Sequence, residues 1–157
     1  MASPLAAQAL QRLGYHKNES WVTQEDKKDI SSTKQPHLVQ VLSATTHTPI
    51  QGSSHAVGYN LFSDKVSIII EPYEIQFVLT GIAFKYPDGT HGRIAPRKGL
   101  TNKNKITNLA GVIDPDYIGT IIVVMYNFGT LTRAITQHQR IAQIIFEKIL
   151  HPIFQIG

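Results

Sequence analysis

Residues 109–122, LAGVIDPDYIGTII, place two carboxylates and a phenol between runs of branched aliphatic residues. The Asp-Pro-Asp at 114–116 could form a tight turn for geometric reasons alone, because turns favour these residue types. An active site could use the same tip to hold the carboxylate of Asp114 beside Tyr117 as an aromatic platform. The local sequence leaves both interpretations open, so the elements around it have to distinguish them.

The composition predicts one globular domain. The chain has 157 residues, of which 42% are hydrophobic and 17% charged, enough to bury a real core. It contains no cysteine, which excludes disulfides and thiolate metal sites. No signal-peptide pattern and no apolar run of membrane-spanning length is present, so we expect a soluble intracellular protein of the cytoplasm or nucleus.

Cations are concentrated in one window of a chain whose formal net charge is +4. No acidic residue occurs from Gly89 to Ile113, and the basic residues of that window are Arg93, Arg97, Lys98, Lys103 and Lys105. Such a window is either a solvated face or a surface that binds polyphosphate or nucleic acid. Nucleic acid is the weaker alternative, because the window lacks the interleaved aromatic residues on which single-strand binders stack bases.

Two regions differ in their patterns. Residues 1–36 predict an N-terminal extension, with a short helix in SPLAAQALQRLGYHK followed by a polar arm or disordered tail. Residues 37–157 predict a β domain, because short β-branched or aromatic runs alternate there with Gly, Pro, Asn and Asp. The runs are HLVQVLSA, KVSIIIE, YEIQFVLTGIAF, GTIIVVMYNFG and QRIAQIIFEKIL.

The predicted fold class is therefore all-β, as a barrel, jelly roll or sandwich. PDG at 87–89 predicts a turn, and TNKNK at 101–105 predicts a loop. The run at 139–150 could also form an amphipathic helix, because its apolar residues are too dense for the period to decide.

Four stretches, taken together and in this order, resemble the trimeric dUTPase family. They are AVGYNLFS (56–63), GRIAPRKGL (92–100), GVIDPDYIGTI (111–121) and RIAQIIFEK (140–148). They are similar to the first four of the family's five motifs. The resemblance implies a jelly-roll subunit, a homotrimer with three active sites at subunit junctions, and hydrolysis of dUTP to dUMP and pyrophosphate with Mg²⁺.

The resemblance assigns the nucleoside side of the site to the third motif. Asp114 would bind the sugar 3′-hydroxyl and orient or deprotonate the attacking water. Tyr117 would stack under the deoxyribose and leave no room for a 2′-hydroxyl. The backbone of Gly111, Val112 and Ile113, in what we expect to be a hairpin, would read the uracil.

The other motifs supply the phosphate side. Arg97 would hold the phosphate site in shape, and Gln143 would contact phosphate. Lys98 stands where the family has a serine that bonds the phosphate chain. Asn60 stands where the family has an aspartate that holds Mg²⁺ through coordinated water. We expect Tyr59 to be a core residue rather than a ligand.

Departures from the family pattern predict impaired chemistry. Asn60 and Lys98 alter the metal and phosphate positions, and only 14 residues, with a single glycine, follow Gln143 in place of the glycine-rich fifth motif. Two function classes follow. One is a weak dUTPase, and the other is an inactive dUTPase-fold protein of viral or retroelement type that serves as a structural or protein-interaction module.

Overall fold

The computed structural model describes residues 38–157, and the predictions for residues 1–36 lie outside that part of the chain. The all-β prediction is confirmed, because the described residues form strands joined by turns and one short helical turn at Leu100–Asn104. The strands are β1 (Leu38–Val41), β2 (Ile50–Gln51), β3 (Tyr59–Phe62), β4 (Ser67–Ile70), β5 (Ile75–Leu79), β6 (Ile82–Lys85), β7 (Thr90–Ala95), β8 (Ile106–Leu109), β9 (Val112–Ile113), β10 (Ile122–Asn127), β11 (Arg133–Thr136) and β12 (Arg140–Lys148).

Antiparallel pairing connects strands that are distant in sequence. A five-stranded sheet, called here the site sheet, has the order β2-β3-β12-β7-β9, and a three-stranded sheet has the order β5-β10-β8. Two further pairs are β1 with β6 and β4 with β11. The site sheet contains all or part of each of the four motifs, so it is the element that positions the candidate site.

The hydrophobic core lies on the inward faces of these sheets, and β10 shows this by the alternation of its buried residues. Val123, Met125 and Asn127 are buried, while the residues between them are half-buried. Burial of alternate residues is what a strand with one inward face requires. The buried core includes Leu61, Ile70, Val78, Ile82, Phe84, Ile94, Ile106, Ile121, Ile135, Ile141 and Ile144.

The outward face of the three-stranded sheet is also apolar. Its strand register aligns Phe77 with Val124, Val124 with Leu109, and Ile75 with Tyr126. Phe77 is 67% exposed, although burial of a large aromatic side chain would stabilise the protein. These five residues are called the apolar outer face below.

The strand-like run at 73–84 forms parts of two strands in different sheets. β5 pairs with β10, β6 pairs with β1, and the chain turns between them at Gly81, whose φ is +68°. A Cβ on Gly81 would lie 2.9 Å from Cβ of Thr46. The turn therefore depends on a residue that adopts the left-handed region and has no side chain.

Two further expectations are decided by backbone hydrogen bonds. TNKNK, predicted as a loop, lies largely in the helical turn Leu100–Asn104, which ends where the Lys105 N–H, at φ 58°, donates to the Leu100 carbonyl. Most of the run at 139–150 forms the strand β12 rather than a helix. It pairs with β3 on one side and β7 on the other, so its backbone groups are satisfied across the sheet.

The predicted PDG turn is confirmed, because the Thr90 N–H donates to the Pro87 carbonyl at 3.1 Å and Gly89 has φ +71°.

Within residues 38–157, no helix has the length and hydropathy that crossing a membrane would require.

Candidate active site

The Asp-Pro-Asp segment forms a hydrogen-bonded β-turn that presents its first carboxylate to solvent. The Tyr117 N–H donates to the Asp114 carbonyl at 3.1 Å, and Asp114 is exposed. The expected hairpin is wrong, because β9 before the turn pairs with β7 whereas β10 after it belongs to the three-stranded sheet. The turn therefore joins two sheets, and each sheet anchors one of its ends.

Close backbone contact with β7 holds the segment that was predicted to line the base. The Ile94 N–H donates to the Gly111 carbonyl at 2.7 Å, and in the strand register Val112 is opposite Arg93. A Cβ on Gly111 would lie 2.3 Å from the Ile94 carbonyl oxygen. Only glycine fits at this close approach. The pairing of β9 with β7 continues to Ile113, so the backbone is held in place up to the residue before Asp114.

Tyr117 is held by its own loop. Its hydroxyl donates to the Thr120 carbonyl at 2.9 Å, and a Cβ on Gly119 would lie 2.7 Å from that hydroxyl oxygen. Burial raises the pKa of the Tyr117 phenol. The residue remains 40% exposed, so an anchored ring still offers surface to a ligand.

The residues predicted for the phosphate side converge at the other end of the site sheet. Asn60 on β3 lies directly opposite Gln143 on β12, and Gln143 lies opposite Ala95 on β7. A Cβ on Gly58 would lie 3.0 Å from Gln143 Oε1, so this glycine leaves room for the amide. The structure thus places the first, second and fourth motifs side by side.

The cations of this half-site differ in how they are held. Arg97 Nη1 donates to the Arg140 carbonyl at 2.8 Å, which anchors the guanidinium to the start of β12. Burial, and to a lesser degree the Arg140 charge, lower the pKa of Arg97. Lys98 is exposed beside it. One cation is therefore positioned by the fold and the other is free to follow a ligand.

The side chains present do not form a magnesium site around Asn60. Its Nδ2 donates to the Ile50 carbonyl at 3.2 Å, a bond that ties β2 to β3 and that a carboxylate could not make. Among the described residues there is no group of three His, Cys, Asp or Glu side chains that could hold a metal ion. Mg²⁺ prefers carboxylate, phosphate and water oxygens, so a neutral amide is a poor replacement.

Within one chain, Asp114 on the third motif is far from Asn60 on the first motif. Asp114 follows Ile113, which pairs with Gly92, whereas Asn60 and Gln143 share a level with Ala95. Three strand spacings and about four residue steps separate Asp114 from Asn60, which gives roughly 20 Å between their backbones. Within one chain, the carboxylate of Asp114 therefore does not lie beside Asn60.

Sequence reasoning missed an ion pair between the neighbouring strands β7 and β12 of the site sheet. Arg93 Nε and Nη2 donate to Glu147 Oε1 at 2.8 and 2.7 Å. The hydrogen bond and the charge of Arg93 lower the pKa of Glu147. The two residues are 54 positions apart, so only the register of β7 on β12 could reveal the pair.

The fold is that of dUTPases, and the comparisons with known proteins identify the family. The dUTPase family profile matches residues 44–156. The deoxyuridine 5′-triphosphate nucleotidohydrolase of Fowlpox virus is 42% identical over 73% of this chain and 78% of its own, and that of Saccharomyces cerevisiae is 43% identical over 71% and 76%. The chain belongs to the dUTPase family.

Solved structures agree on the fold. The dUTPase from phage phi11 of S. aureus superposes with a TM-score of 0.74, covering 78% of this chain and 96% of that one at 21% identity. A point mutant of the same phage enzyme, described for the coordination of a structural Mg(II) ion, matches with a TM-score of 0.72 at 21% identity, over 78% and 97% of the two chains. The jelly-roll expectation is confirmed at the level of fold.

Proposed function

We propose that the protein hydrolyses dUTP to dUMP and pyrophosphate, with slow turnover. The observation that carries this proposal is the anchored turn, which presents Asp114 to solvent and holds Tyr117 partly exposed beside it. Family membership supplies the reaction class, since the relatives at 42 to 43% identity carry the name of this activity.

The chemistry assigned to the turn needs a positioned proton acceptor. In this proposal Asp114 accepts the proton of a water, the water oxygen forms a bond to phosphorus, and the bridging P–O bond breaks to release pyrophosphate. Tyr117 supports the deoxyribose, and the backbone of Gly111, Val112 and Ile113 reads the uracil. Anchoring at both ends of the turn favours this role, because a misplaced acceptor loses much of its effect.

We further propose that the complete site forms between copies of the chain in a homotrimer. A single nucleotide has to meet Asp114 and the residues of the phosphate side together, yet the backbones of Asp114 and Asn60 lie roughly 20 Å apart within one chain. The apolar outer face, led by Phe77, supplies exposed surface of the kind that oligomers bury. Asp114 of one subunit would then act beside Arg97 and Gln143 of another.

Slow turnover follows from the charge pattern of the phosphate cluster. Asn60 contributes no negative charge for a metal, and its amide N–H is already engaged with Ile50. Lys98 and Arg97 supply positive charge in its place. Cationic side chains can attract a triphosphate, but they cannot bind its oxygens in the octahedral arrangement that Mg²⁺ provides. Nucleotide binding is therefore retained better than catalysis.

The second candidate function is a binding or structural module that keeps the trimeric fold without efficient hydrolysis. Asn60 and Lys98 favour it, because both replace groups to which the family assigns metal or phosphate chemistry. The two candidates differ in one observable: the module binds deoxyuridine phosphates or a protein partner and releases no pyrophosphate from dUTP.

Pyrophosphate release from dUTP, measured with Mg²⁺ and with a chelator, tests the proposal. We expect slow release by the native chain that depends weakly on Mg²⁺, and none above background by Asp114→Asn. The paired change Asn60→Asp with Lys98→Ser should raise the rate about tenfold or more and make it Mg²⁺-dependent. Because a carboxylate at position 60 could not donate to Ile50, the thermal stability of this variant is measured alongside.

Each result decides a part of the proposal. Asp114→Asn with an unchanged rate would show that another group activates the water. Binding of dUMP without any release of pyrophosphate would select the non-catalytic module. Nucleotide affinity that collapses in the chelator would show that a metal still bridges the phosphates despite Asn60.

A further inference from the structure

Three cations to which the proposed function gives no role lie together at the end of the short helical turn. Lys103 belongs to the last part of that turn and Lys105 ends it, and both are exposed. Arg133 on β11 joins them from a distant part of the chain, because its Nε donates to the Asn104 carbonyl at 3.1 Å. The fold therefore adds a cation to the basic window that the sequence shows.

No carboxylate among residues 38–157 lies within ion-pair distance of these three cations. The ion pairs in that part of the chain are those of Glu147 with Arg93 and with His91. Neighbouring positive charges without counter-charges attract anions to the surface that carries them. The three cations are therefore free to bind an anionic partner.

The fold also supplies the aromatic residue that the basic window lacks. The Phe128 N–H donates to the Lys105 carbonyl at 2.9 Å, and a Cβ on the next residue, Gly129, would lie 2.8 Å from Cβ of Lys105. Phe128 is 39% exposed, so part of its ring is open to a ligand. Proteins that bind single-stranded nucleic acid combine cations for the phosphates with aromatic rings on which bases stack.

Two acidic residues mark one edge of this surface. The Thr132 hydroxyl donates to the Glu71 carboxylate, and the Glu71 N–H donates to Glu74 Oε2 at 3.0 Å. Both acids lie between β4 and β5, where the Asn127 N–H donates to the Glu74 carbonyl at 3.1 Å. Because carboxylates repel phosphates, a phosphate chain would follow the helical turn rather than cross this edge.

We propose that Lys103, Lys105, Arg133 and Phe128 form a surface that binds single-stranded nucleic acid. The three cations contact phosphates, and one base stacks on the exposed part of the Phe128 ring. A single strand fits better than a duplex, because the bases of a duplex are already stacked on one another. None of the four residues has a role in the proposed hydrolysis, so this inference does not depend on it.

Fluorescence anisotropy of the full chain with labelled oligonucleotides of about 20 nucleotides tests the proposal over a series of salt concentrations. The probes are oligothymidylate, oligouridylate and a DNA duplex, and excess dUMP is present to occupy the nucleotide site. We expect both single strands to bind more tightly than the duplex. The tighter of the two single strands identifies DNA or RNA as the ligand.

Two sets of variants separate the phosphate contacts from the stacking contact. The paired change Lys103→Gln with Lys105→Gln should reduce the slope of log affinity against log salt concentration by about 1.4, because two phosphate contacts are lost. Its matched control is Lys85→Gln with Lys148→Gln, which removes two exposed charges elsewhere.

Phe128→Leu keeps an apolar side chain and removes the ring. It should weaken single-strand binding about fivefold or more without changing the salt slope. Phe154→Leu is the matched control, because that ring is exposed and lies outside the proposed surface.

The outcomes concern the inference without affecting the proposed hydrolysis. A native chain that binds neither single strand at about 50 mM salt overturns the inference. Equal losses in the lysine variant and its control would show that only net charge attracts the oligonucleotide, which also overturns it. Tighter binding of the duplex, unchanged in Phe128→Leu, would exclude the stacking of a single strand. Pyrophosphate release from dUTP should be the same in the native chain and in all four variants.

Discussion

At the scale of single residues, the candidate site depends on side chains whose atoms are held by backbone groups. Tyr117 is bonded to Thr120, Arg97 to Arg140 and Asn60 to Ile50, each through a carbonyl acceptor. A carbonyl fixed in the fold orients a side chain without adding charge to the site. Lys98, an exposed cation beside Arg97, is therefore a group that can adapt to a ligand.

The role of Tyr117 can be tested by removing its ring. Tyr117→Ala should lower the preference for dUTP over UTP, because the surface that excludes a 2′-hydroxyl would be gone. We expect the ratio of kcat/KM values for the two nucleotides to fall about tenfold or more. Unaltered selectivity in this variant would remove the exclusion role and leave Tyr117 as a structural part of its loop.

At the scale of elements, the pairing register of the strands determines how the motifs of the candidate site are positioned relative to one another. β7 lies between β12 and β9 and so determines where the fourth and third motifs stand relative to the second. Gly111 permits the closest of these contacts, the approach to the carbonyl of Ile94. The position of Asp114 therefore depends on a glycine three residues before it.

Substitution of Gly111 should reveal that dependence. Gly111→Ala would place a Cβ against the Ile94 carbonyl oxygen, and we expect the free energy of unfolding to fall by about 1–3 kcal/mol. Gly99→Ala is the matched control, because its Cβ meets nothing within 4 Å and its φ of −64° suits alanine. Chemical denaturation of both variants measures the difference, and equal stability would contradict the close approach.

At the scale of the whole molecule, the proposed trimer would account for apolar surface that a single copy leaves exposed. The apolar outer face lies on β5, β8 and β10, opposite the buried side of the same strands. Burying Phe77 and its neighbours against another copy would stabilise the assembly by the hydrophobic effect. The same association would bring the half-sites of different chains together.

Disruption of that face should therefore affect assembly and activity together. Phe77→Glu should shift the proposed trimer towards monomer at micromolar concentration and reduce any pyrophosphate release in proportion. Val66→Glu, an exposed change outside the defined face, should leave both unchanged. Analytical ultracentrifugation is the measurement, and a native chain that sediments only as a monomer would contradict both the trimer and the composite site.

Much of the fold class and of the site inventory could be predicted without coordinates. Strand-forming runs and turn residues are local properties, so period-two patterns and PDG predicted β structure and the turn at 87–89. The motif GVIDPDYIG likewise carries part of the family resemblance, on which the proposed roles of Asp114 and Tyr117 depend. The family assignment drawn from the four motifs is confirmed by the comparisons.

What only the tertiary structure decided depends on contacts between distant segments. No local pattern shows that the chain crosses between sheets at Gly81, or that β9 and β10 leave the Asp114 turn in different directions, because pairing energy depends on the partner strand. The pair of Arg93 with Glu147 arises in the same way. The amino-acid sequence determined which groups the protein has, and strand register decided which of them meet.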